Sequence, residues 1–176
     1  MRYSAKDIAL GMIKTLILLI CLEVLTSAFL PAIGVVDFKP AFSVLIVLFM
    51  AFKLDTPVLP WLILILQYSH SVFSIEGWGI GTLAGIIVAL SVRYLRDLLH
   101  FSTAISTIIV VQIFQLAWFL MVSFMLCLKL GDFGVFFSIF WQFVPESLVL
   151  SIVSPFFFMI LDKAWSVNNR TVGVAI

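Results

Sequence analysis

Two carboxylates interrupt otherwise apolar stretches: Glu23 in LLICLEVLTSAFL and Glu146 in FWQFVPESLVL. An ionisable side chain at membrane depth is costly and normally faces the bundle interior, where it pairs or binds. Gln142 stands four residues before Glu146, and Gln112 three before Gln115, so each pair shares one helix face. A polar seam of Glu23, Gln112, Gln115, Gln142 and Glu146 is therefore expected inside a helix bundle. Its chemistry would be ligand or proton binding, or polar contact with a partner helix. Hydrogen bonding between helices is the plain structural alternative. Catalysis is not indicated, because no nucleophile and base recur in a familiar spacing and the two carboxylates lie on different helices. His70 and His100 have no metal-ligand neighbour at i+3 or i+4 and are expected as interfacial polar residues, so neither metal nor cofactor is anticipated. Cys21 and Cys127 stand singly in apolar runs and are expected to be small buried hydrophobes. Gly79, Gly81 and Ala84 spell G-x-G-x-x-A, but that fingerprint needs a preceding strand in a βαβ unit. Gly81 and Gly85, four apart, are better read as packing positions that let another helix approach closely.

Composition sets the elements that must hold these residues. Of 176 residues, 64% are hydrophobic and 11% charged, with a mean hydropathy of +1.26. Soluble domains average about half apolar and about a quarter charged. The expected fold is an all-α integral membrane protein: a polytopic bundle of about six transmembrane helices in a single domain, with no soluble domain. The expected spans are 15–33, 39–53, 57–73, 79–95, 101–128 and 133–161. The second is the most ambiguous. FKPAFSVLIVLFMAFKLD holds one short apolar run, Ala41 to Phe52. At ~1.5 Å per residue it covers ~18 Å against a hydrocarbon core of ~30 Å. It crosses only if its flanks contribute and Lys39 and Lys53 snorkel; otherwise it is re-entrant or buried. The basic start, apolar run and Thr26-Ser27-Ala28 imitate a cleaved secretory signal, but Glu23 interrupts the run and the apolar residues continue past Ala28.

Charge placement orients the bundle. With both termini inside, Arg2, Lys6, Lys14, Lys53, Arg93, Arg96, Lys163 and Arg170 fall on the inner side, and only Lys39 and Lys129 on the outer. The segment Arg93 to His100, RYLRDLLH, groups its leucines and turns Arg96 and Asp97 away. Arg93, Arg96 and Asp97 thus form a candidate anchor at the headgroups or a docking surface for a cytoplasmic partner. The net charge of +1 gives no sign of a nucleic-acid partner.

Three segments carry a family resemblance. FKPAFSVLIVLFMAFKLD, GWGIGTLAGIIVAL and SPFFFMILDKAW are similar to the second helix, the glycine-bearing helix and the C-terminal helix of the bacterial rod-shape-determining MreD family. The third span departs from that pattern, since LILILQYSHSVFSIEG carries no glycine or acidic residue before Glu76. The resemblance implies a non-enzymatic scaffold of the cell-elongation and peptidoglycan-synthesis machinery in the bacterial inner membrane. It would dock to an MreC-like single-span protein, and through it to actin-like MreB and the elongation glycosyltransferase and transpeptidase. The alternative is a small substrate-binding membrane subunit of a vitamin or metal uptake transporter.

Overall fold

The computed structural model describes residues 5–32, 34, 38–54, 56–74, 77–95 and 104–165. All regular structure among them is helical: α1 (Ala5–Ala32), α2 (Phe42–Lys53), α3 (Leu59–His70), α4 (Trp78–Leu95), α5 (Ala104–Leu130) and α6 (Gly134–Trp165). Helices α1, α4, α5 and α6 are long and apolar enough to cross a bilayer, so the chain is a multi-pass membrane protein. The remaining two have 12 residues each and reach only about 18 Å. Six helices thus stand where six spans were expected, but two of them are of half length.

The helices alternate in direction. At one end of the bundle Trp165 lies over Gly11, and Lys53 pairs with Asp162. The Lys14 ammonium donates to the Ala164 carbonyl at 3.2 Å. The start of α1 and the ends of α2 and α6 therefore share this end, which also carries Lys163. We call it the basic end. From there α3 rises beside α4, with Gln67 against Gly81 and Ile63 against Gly85. Helix α5 then runs back along α6, pairing Gln112 with Ser147 and Ser151.

Helix α2 is buried on every side: all residues from Ser43 to Ala51 are inaccessible. A helix that is apolar all round needs such an environment, protein instead of lipid on one face. Its far end sits deep. The Lys39 amide donates to Glu146 Oε1 at 2.7 Å, and Glu146 lies about 18 Å along α6 from Gly134. Lys39 itself is exposed and stands ahead of α2, at the end opposite Lys53. Re-entry from the outer side would have put Lys53 at depth, whereas Lys53 stands at the basic end.

Helix α6 contains Pro145 and Pro155. Each proline removes one N–H and frees the carbonyl four residues earlier. For Pro155 that carbonyl belongs to Ser151, and the Ser154 hydroxyl donates to it at 2.7 Å. Such local repair keeps a broken helix tolerable without water. One expectation about packing fails: Cys21 is exposed on α1, and only Cys127 is buried. The apolar run around Cys21 turns one face outward, and a membrane solvent accepts a thiol there.

The glycines of α4 receive side chains. A Cβ at Gly81 would stand 2.5 Å from the Gln67 amide oxygen, and one at Gly85 2.7 Å from Ile63 and 3.3 Å from Trp118. At Gly79 it would meet nothing within 4 Å. Gly85→Ala should therefore lower stability by about 1–3 kcal/mol through overpacking. Gly79→Ala should not lower it. Denaturation midpoints of the purified variants in detergent check this; equal midpoints would sink the packing account.

Candidate functional site: an interior polar chamber

The half-length helices leave the opposite half of the bundle partly unfilled. Two adjoining cavities occupy it. The larger, about 480 Å³, is lined by Glu23, Lys39, His70, Gln142 and Glu146, with Phe73, Leu126 and Ile139 as apolar walls. The smaller is a slot of about 140 Å³ reached past Lys39, Gln142 and Glu146, and closed by Val44, Gln115, Trp118, Phe119 and Phe143.

Each polar group arrives for a local reason. Glu23 and His70 meet at 2.7 Å, Oε1 to Nδ1, with the residues only 6% and 8% exposed. The pairing is possible because α3 stops after 12 residues and brings His70 to the middle of α1. Above Glu23, α1 widens into a π-helical turn, Leu25–Phe29. Such turns are uncommon in helices and often found at functional sites. This one puts Thr26 and Ser27 on the chamber wall. The Thr26 hydroxyl donates back to the Leu22 and Glu23 carbonyls, at 3.0 and 3.1 Å. Gln142 and Glu146 come from one face of α6, as their spacing requires. Between α5 and α6 a phenylalanine wall closes the slot, with Phe119 and Phe143 stacked at 4.3 Å.

The structure brings four of the five expected seam residues to this chamber and separates the fifth. Glu23, Gln142 and Glu146 line the larger part, and Gln115, Gln142 and Glu146 the slot. Gln112 lies apart, bonded to the Ser147 hydroxyl at 3.2 Å and accepting from Ser151 at 2.6 Å. Two residues on one face of α5 thus serve different ends: Gln112 ties helices together, while Gln115 remains unpaired. Both polar atoms of the Gln115 amide are buried without a hydrogen-bond partner, and the residue is 3% exposed.

Two site residues were not anticipated. His70 was expected at the interface and is instead buried against Glu23, because α3 ends within the bundle. Lys39, assigned to an outer segment, also lines the chamber. The polar run Gln67 to Ser71 at the end of a short apolar helix was the available signal for the first. Arg93 is exposed at the end of α4, whereas Arg96, Asp97 and His100 lie outside the described residues. No group of three or more potential metal-ligating side chains occurs among the described residues.

Two carboxylates, one ammonium and one imidazole face this space. Chemically it offers hydrogen bonding and a ring-lined recess. In comparison with known proteins, no family model, no curated protein and no solved structure matches the chain.

Proposed function

We propose that the chain is a non-enzymatic scaffold of the bacterial inner membrane, working in the cell-elongation and peptidoglycan-synthesis machinery. Its basic end faces the cytoplasm. It acts by helix docking to an MreC-like single-span protein, and through that partner to actin-like MreB and the elongation glycosyltransferase and transpeptidase. The observation that supports this best is the packed half of the bundle. Leu45, Ile46, Val47, Leu48, Met50, Ile63 and Leu66 in it are fully inaccessible. A body so filled at close-packed density does not rock open, and it presents its outer helix faces in fixed register. On α6 those faces carry Phe137, Trp141, Ile152 and Phe156, all exposed. The resemblance of three sequence segments to the MreD family supplies the partner class. Clean deletion should turn rod-shaped cells round, with shape restored by the wild-type copy. Rods persisting after deletion would remove the reading.

A second reading, a small substrate-binding subunit of a vitamin or metal uptake transporter, is favoured by the chamber. It would be supported by a small molecule carried through purification and by uptake that depends on a partner ATPase.

A further inference from the structure

We propose that the slot closed by Gln115 is a binding site for a small uncharged ring compound whose edge sets an N–H beside a C=O, as lactams and ureido groups do. The inference goes beyond the scaffold reading and needs none of its partners; it would give the second reading a ligand class. The central observation is the Gln115 amide. Its Nε2 and Oε1 are both buried and unpartnered. A buried amide without hydrogen bonds is rare and costly, so its presence calls for something that satisfies it. A primary amide offers a donor beside an acceptor in one plane. Its complement is another edge with the same pair reversed, closing two hydrogen bonds at once.

The surroundings define the rest of the ligand. Trp118, Phe119 and Phe143 line the slot with ring surfaces, and Val44, Val122 and Leu150 complete apolar walls. Its volume of about 140 Å³ holds one six-membered ring: an apolar cavity of about 150 Å³ in another protein accepts benzene. Charge excludes a strong ion. The slot's mouth carries one residue of each sign, Lys39 and Glu146, with the Lys39 backbone N–H donating to Glu146 Oε1 at 2.7 Å, so neither formal charge is in excess. Substituents on the ring would project past Gln142 into the larger chamber, where Glu23 and His70 stand. Mostly apolar walls with a few convergent polar groups are the usual make-up of a small-molecule pocket.

Three titrations of the full chain, purified in detergent, test this. The probes are 2-pyridone, its N-methyl derivative, which lacks the N–H, and toluene, which lacks the edge altogether. Heat of binding is the readout, with the tryptophan emission that includes Trp118 as a second. The expected result is that 2-pyridone binds at least about tenfold more tightly than either analogue, because a site built to hydrogen-bond rejects a ligand without the group. Gln115→Leu should erase that preference while leaving toluene binding in place. Equal binding of all three would mean an apolar recess, filled by any hydrocarbon including a lipid chain, and would overturn the proposal. So would the absence of binding by all three, or a preference that survives Gln115→Leu. The comparison of 2-pyridone with its N-methyl derivative uses the wild-type chain alone, so it decides even if the variant does not fold. Cell shape after deletion is read separately, so the two ideas fail independently.

Discussion

Trp165→Ala is expected to cost about 3–5 kcal/mol, the largest effect of any single truncation described here. Trp165 is 1% exposed, although tryptophans near membrane helix ends commonly sit in the interfacial belt. Its ring lies over α1 so closely that a Cβ on Gly11 would stand 2.8 Å from it. Its indole N–H donates to the Thr15 hydroxyl at 2.8 Å, and that hydroxyl donates in turn to the Gly11 carbonyl at 2.8 Å. Removing the ring leaves a void and an unfilled acceptor at the place where the first and last helices meet. Nothing apolar drives helices together inside lipid, so lost packing and lost hydrogen bonds account for the whole loss. Trp61→Ala is the matched control, since Trp61 is 67% exposed and should change stability by no more than about 0.5 kcal/mol. Denaturant midpoints in one detergent compare the two. If they fall by similar amounts, the first helix is not held by the last in this way.

The second large effect is expected at the Glu23–His70 pair. Glu23→Leu strands a buried imidazole, and His70→Leu strands a buried carboxyl. Each single change should destabilise by roughly 3 kcal/mol, the cost of one uncompensated buried polar or charged partner. The double variant Glu23→Leu/His70→Leu should recover most of that loss, because two apolar side chains of similar size replace both members of the pair. The double-mutant cycle therefore has a definite sign: the double change costs less than the sum of the single ones. Additive losses would show that the 2.7 Å contact carries no coupling.

The positions of the long helices were legible because lipid imposes one rule on all of them. Apolar runs must be closed by charges, glycines or prolines, and Lys129, Gly131 and Lys163 mark such ends plainly. The first helix nevertheless begins at Ala5, ahead of the expected 15, because Ile8, Leu10 and Ile13 extend its apolar face past two lysines. The depth of the second helix was not legible. Nothing in FSVLIVLFMAFK distinguishes a short crossing from a buried core helix; the deciding fact is a pairing between Lys53 and Asp162, 109 residues apart. The site followed the same division. Carboxylates and glutamines in apolar helices announce an interior location, and helical spacing places Gln142 with Glu146. Which of them finds a partner depends on where short helices stop, and that places His70 beside Glu23 and leaves Gln115 alone.

The filled half of the bundle also decides where an electric field falls. Voltage drops across material of low polarisability, and here that is the plug formed by α2 and α3. With a bilayer around the bundle, that plug stands between the basic end and the charges of Lys39 and Glu146.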